Sequence, residues 1–187
     1  MEPWLIIPIA FVVVILIAYI AIRNGLIGKR NAVENAEGAV DAMLKRRHDL
    51  IPNLVATVQQ YMSHEQGTLT KITELRSQAI AASPAERGPI EAQLTQALRG
   101  LMVQVEAYPD LKASSNFLQL QASLNETEEQ IAASRRAYNA AVTDYNNAIE
   151  MFPGSLFASG MGLMRRQVFE AEDQERETPK VAELFKQ

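Results

Sequence analysis

The sequence predicts an all-α protein: an N-terminal transmembrane helix, then an antiparallel up-and-down bundle of long helices of the four-helix type. Three observations predict it. Residues 4–22 read WLIIPIAFVVVILIAYIAI, nineteen positions without a charge, close to the ~20 apolar residues that carry a helix across ~30 Å of hydrocarbon. From Asn31 onward apolar residues recur every three or four positions, which is the helical period. No segment shows the strict apolar–polar alternation of a half-buried strand.

The apolar run reads as an uncleaved anchor, residues 1–23. A secretory signal needs a cationic start and a small-residue cleavage site. Here the start is Met-Glu-Pro-Trp and the run ends in Tyr-Ile-Ala-Ile-Arg. Trp4 and Tyr19 stand near its two ends, where amphipathic rings favour the headgroup layer. Arg23, Lys29 and Arg30 follow it, and only Glu2 precedes it as a charged side chain. The positive-inside bias then puts the N-terminus outside and the body in the bacterial cytoplasm, with a periplasmic body as the alternative.

Residues 24–30, NGLIGKR, hold two glycines and read as a flexible linker. The bundle is expected over 31–187. Its first stripe runs from Val33 through Val40, Leu44, Ile51, Leu54, Val58, Ile72 and Leu75 to Ala79. That suggests one helix of nearly fifty residues, kinked by Pro52 and weakened at Gly67. Ser83-Pro84 opens a second helix with Ser as N-cap and Pro at the first helical position. Tyr108-Pro109-Asp110 ends it. A third stripe begins after Ser114 or Ser115 and runs from Phe117 to Phe152. Pro153-Gly154 stops it, with Gly154 available for a left-handed cap. Residues 165–185 could hold a short fourth helix and a docked tail.

Charge narrows the function classes. The net charge is −4, but three of the 18 basic residues and only one of the 22 acidic ones fall at or before position 30, so the rest of the chain carries −6. That argues against a nucleic-acid binder, which needs a basic face to neutralise phosphates. There is no cysteine, so disulfides, thiolate metal sites and Cys nucleophiles are excluded. The two histidines, His48 and His64, are sixteen residues apart, about 24 Å along a straight helix. His64-Glu65-Gln66-Gly67-Thr68 lacks the second His of a zinc-protease helix. Neither a phosphate-binding Gly-rich loop nor a Gly-x-Ser-x-Gly elbow is present. No catalytic residue, metal or cofactor is expected.

Charged residues nevertheless interrupt the stripes: Glu37, Arg47 and Glu65 in the first, Glu128 and Arg135 in the third. The favoured reading is that Arg47, Glu65, Glu128 and Arg135 pair across helices and fix register, rather than form a catalytic site. The run Lys45-Arg46-Arg47-His48 also reads as a solvated face screened by Asp41 and Asp49. Beyond the third stripe, Phe157, Leu163, Arg165 and Arg166 could dock on anionic lipid or a partner. Against that stands a plainer reading, in which Leu156, Phe157 and Leu163 cap the end of the bundle.

The segment NAVENAEGAVDAMLKRRHDLIPNLVATVQQYMSHE, together with LKRR-DLIPNLV at 44–55, YPDLKAS–FLQLQ–L at 108–124 and RRAYN–AV–YN–I–FP at 135–153, resembles the LemA family. The family's C-terminal aromatic corresponds to Phe169. The loop GSLFASGMGLMRRQVF departs from the family, whose members more often carry aromatic residues after the second glycine. The resemblance implies a four-helix bundle in a bacterial inner-membrane protein without established enzymatic activity. It also implies links to envelope stress and to membrane zinc metalloproteases of the HtpX type, and, for one relative, to magnetosome membranes. A scaffold or adaptor is the function expected, acting on such a partner or on a second copy of itself. A lipid-binding or membrane-remodelling protein using residues 155–169 is the alternative.

Overall fold

Helices alone make up the regular structure of the described residues, 3–62 and 65–169, in this computed structural model. They are α1 (Pro3–Gln59), α2 (Gln66–Ala81), α3 (Pro84–Val105), α4 (Pro109–Lys112), α5 (Ser115–Glu150) and α6 (Ser155–Ala158). The chain divides into two compact units, and both draw on α1 and α5. His64 and residues 170–185 of the expected fourth helix and docked tail lie outside the described residues, and residues 165–169 of that segment are not helical.

Ala42–Ile131 forms a four-helix bundle. Its core joins Ile51, Leu54 and Val58 of α1, Leu69, Ile72 and Leu75 of α2, Leu94, Leu98 and Leu101 of α3, and Phe117 and Leu124 of α5, with Leu111 of α4 as a plug. α1, α2 and α3 contribute residues three or four apart and α5 residues seven apart, so each buries one stripe. Only Ala82 and Ser83 separate α2 from α3, a length that makes successive helices antiparallel neighbours. Ser83 and Glu86 form the capping box: Ser83 Oγ donates to Glu86 Oε2 at 2.6 Å, and the Ser83 backbone N–H donates to the same oxygen at 3.4 Å.

The expected fifty-residue first helix is two helices. α1 ends at Gln59, where the Met62 N–H still reaches the Val58 carbonyl at 2.9 Å, and α2 starts at Gln66. Apolar periodicity survived the reversal because both helices face the same core, Met62 being fully buried in the turn between them.

The other unit is Met1–Asp41 with Ala132–Phe169. Here the expected linker is helical: residues 24–30 lie within α1. Two glycines in a helix cost about 1 kcal/mol each, and burial of Leu26 between them offsets part of that. Leu26, Val33 and Val40 of α1 are buried, as are Tyr138, Val142, Tyr145 and Ile149 of α5. Lys29 Nζ pairs with Asp144 at 2.9 Å. The third stripe ends before Phe152, which is 79% exposed.

Gly154 does not supply a left-handed cap, since its φ is −59°. Its need for glycine is steric: a Cβ there would stand 2.0 Å from the Ala148 carbonyl oxygen. The left-handed residue is Gly162, at φ +65°. After it residues 163–169 carry no regular secondary structure.

Candidate functional site

Two polar constructions stand out, one in each unit. The first is a buried ion cluster inside the four-helix bundle. α1 places Arg47 on the core side, where it is 1% exposed. Its Nη1 donates to Glu128 Oε1 of α5 at 2.8 Å and to Thr95 Oγ1 of α3 at 2.8 Å. Its Nη2 pairs with Glu91 Oε2 of α3, a carboxylate as fully buried as the arginine. His48 Nε2 lies 2.9 Å from Glu91 Oε1. Burial pushes the Glu91 carboxyl up, but the His48 contact and the Arg47 charge outweigh it and hold the group below its ordinary value.

His48 carries a second connection. In an α-helix its carbonyl would accept from the N–H four residues on, but that residue is Pro52, which has no N–H. Arg76 of α2 fills the gap: its Nε donates to the His48 carbonyl at 2.7 Å. This is how α1 continues unbroken through Pro52.

Of the residues expected to pair, Arg47 and Glu128 do. Glu65 does not join them; it is the residue before α2 and makes no side-chain cap bond. Arg47 and His48 correct the solvated-face reading, since both are buried, whereas Lys45 does pair with Asp49 at 2.6 Å. Sequence reasoning missed Glu91. A signal existed: Glu91, Leu94, Leu98, Leu101 and Val105 follow strict three-four spacing, and all are buried. Among the described residues no three His, Asp or Glu side chains gather to hold a metal ion. The cluster's contacts tie α1, α3 and α5 to one another through Arg47.

The second construction is a strap, residues 163–169, docked on α5. Asn146 grips the Arg166 peptide from both sides: its Nδ2 donates to the carbonyl at 2.8 Å and its Oδ1 accepts the N–H at 3.0 Å. Asn139 does the same to Phe169, at 2.9 and 2.8 Å. Tyr145 donates to the Met164 carbonyl at 3.0 Å and Tyr138 to that of Gln167 at 3.2 Å. Burial, followed by the Glu37 charge, raises the Tyr138 hydroxyl above its ordinary value, so it remains a donor. The spacing is commensurate. Asn139 and Asn146 are seven residues apart on α5 and the peptides they hold are three apart; seven helical residues rise about 10.5 Å and one three-residue turn of a polyproline-II-like chain about 9 Å, so each Tyr-Asn pair meets the strap in the same phase.

Arg135, expected to pair with a carboxylate, instead lies over the Phe169 ring at 5.8 Å, a cation–π contact. Tyr138 meets the same ring at 4.8 Å. Of the expected docking residues, Arg166 turns inward, 3.5 Å from Glu37 and 3.6 Å from Glu34. Arg165 stays exposed beside Glu150 at 3.2 Å. Phe157 and Leu163 are half-buried, and Leu156, expected as part of a cap, is 66% exposed. Among the membrane-anchor residues, Trp4 and Tyr19 are exposed at 65% and 41%, and Arg23 is exposed too. α1 is the one described helix long and apolar enough to cross a membrane.

Comparison with known proteins gives a consistent answer. The LemA family profile matches residues 36–182. Protein LemA of Metamycoplasma hominis is 31% identical over 168 residues, 89% of this chain and 77% of that protein. Magnetosome protein MamQ 2 of Paramagnetospirillum magneticum is 25% identical over 191 residues, covering 87% of this chain and 68% of its own. Magnetosome protein MamQ of Magnetospirillum gryphiswaldense is 23% identical over 190 residues, covering 86% and 68%. By the profile match and by its likeness to protein LemA, the chain belongs to the LemA family.

Proposed function

We propose that this protein is a non-enzymatic scaffold or adaptor, held in the bacterial inner membrane by α1 and acting through protein–protein contact. The observation that carries the anchoring is the bare apolar surface of α1. Ile7, Ile9, Phe11, Val12 and Val14 are each 60–73% exposed. Such a sleeve is costly in water, at about 25 cal/mol per Å², and costs nothing in lipid.

The ion cluster supports a scaffold: its charges are spent on one another inside the bundle, fixing helix register. Relatives named as magnetosome proteins accord with a role in membrane organisation. The partner is a membrane protein, a metalloprotease of the HtpX type being the first candidate, or a second copy of the chain. Arg23, Lys29 and Arg30 favour a cytoplasmic body.

Crosslinking of the full-length protein in native membranes tests this reading. A defined partner or homo-oligomer is expected, and a strictly monomeric species overturns it. Protease added to spheroplasts tests orientation: a body digested from outside rejects the cytoplasmic placement.

A further inference from the structure

We propose that the loop at 151–164 is a second, shallow membrane contact, seated in the interfacial layer of the leaflet where α1 leaves the bilayer. The proposal rests on α1 being an anchor. The loop carries no charge from Met151 to Met164. Within it Met151, Phe152, Leu156 and Met164 are 64%, 79%, 66% and 79% exposed. Large apolar side chains gathered bare in one loop mark a contact surface.

Two contacts fix the height of that surface along α1. The Phe157 ring packs edge-on against Tyr19, centroids 5.3 Å apart. A Cβ on Gly154 would lie 3.3 Å from Leu26 Cδ2, so the turn rests on α1 at Leu26. The apolar run ends at Ile22. At ~1.5 Å per residue, Tyr19 is about 5 Å inside that end and Leu26 about 6 Å beyond it. The loop therefore brackets the level at which hydrocarbon gives way to headgroups. An amphipathic element at that level buries its apolar side ~5–10 Å deep.

Continuity favours lipid as the occupant, because the patch adjoins the exposed surface of the span at Tyr19. Charge agrees with this. Arg165, which follows the loop directly, and Arg23, which lies between Tyr19 and Leu26 on α1, are both exposed, where cations meet anionic headgroups. Arg166 is turned away on Glu34 and Glu37 and takes no part.

Tryptophan fluorescence of the full chain tests this. The protein is reconstituted in phosphatidylcholine–phosphatidylglycerol vesicles, with and without bromine on the acyl chains. The native chain has one tryptophan, Trp4, which reports on the anchor. Two relocated variants, Trp4→Phe with Leu156→Trp and Trp4→Phe with Phe152→Trp, report on the loop, and both loop positions are exposed enough to take the ring without repacking.

Blue-shifted emission from positions 152 and 156, quenched by brominated lipid to within about twofold of Trp4, is the expected result. Quenching of Trp4 with water-like, unquenched emission from the loop overturns the proposal and leaves the anchor standing. Quenching of none of the three overturns both. Blue-shifted but unquenched loop emission also overturns it, because protein, such as a second copy, then covers the patch.

Discussion

Arg76 donates the hydrogen bond that Pro52 removes from α1, and this pairing can be weighed. A bond from a charged donor contributes about 1.5–3 kcal/mol. Arg76→Met leaves the His48 carbonyl without its donor and should lower stability by about that amount. For a chain of this size 1 kcal/mol moves the melting midpoint by roughly 2–4 °C, so a fall of about 3–12 °C is expected. In a Pro52→Ala background the helix supplies its own N–H, and Arg76→Met should then cost less than about 1 kcal/mol. Arg76 also helps, after Lys45, to hold the nearby Asp49 carboxyl below its ordinary value. That effect is common to both backgrounds and cancels in the cycle. Thermal unfolding of the full-length protein in detergent, followed by circular dichroism, measures all four variants. An equal fall in both backgrounds would falsify the compensation.

Arg47→Met strands the buried Glu91 carboxylate and should cost about 3–5 kcal/mol, part of which returns when Glu91→Leu removes the orphaned charge; a double variant no more stable than Arg47→Met rejects the cluster's role. Glu91 also predicts a pH dependence. Its folded value lies below the ordinary 4.5, so the unfolded chain takes up its proton first. Its contribution is full above that ordinary value and lost as pH falls through the folded one, and Glu91→Gln should flatten the acid limb of a stability–pH curve. Gly154→Ala forces a Cβ to 2.0 Å from a backbone oxygen and should cost about 1–3 kcal/mol, read as a lower melting midpoint. Asn146→Ala frees the Arg166 peptide, so its amide hydrogen should exchange about tenfold faster, and unchanged protection would mean that the strap is held by other contacts.

The helical core was legible because one physical signal specifies it. Val33, Val40, Leu44, Ile51, Leu54, Val58, Ile72, Leu75 and Ala79, and Phe117 at the start of the third stripe, were expected on apolar faces and are buried. The change of direction between α1 and α2 was not legible, because periodicity reports which face is buried and not which way the chain travels. The linker over 24–30 was misjudged for a related reason. Glycine propensity is local, whereas the helix there is held by burial of Leu26.

Within the ion cluster the Arg47–Glu128 pair was foreseeable from stripe positions. Glu91 was missed because a carboxylate at a core position of α3 breaks the apolar signal that marks a buried face. Arg135 was expected to seek a carboxylate, but an aromatic ring brought by the strap from thirty-four residues away took its place. The strap itself was hidden in plain residues. Tyr138-Asn139 and Tyr145-Asn146 repeat at seven, yet nothing local says that their amides hold an extended chain.

The matched pitch of helix and strap acts like a zip with teeth cut at two gauges. Seven residues added to α5 with a further Tyr-Asn pair, and one three-residue turn added to the strap, would leave every existing tooth engaged. Any other length change on one side alone would throw Asn139 or Asn146 off its peptide. Length in this part of the molecule is thus quantised, so insertions should be accepted in paired steps of seven and three and rejected between them.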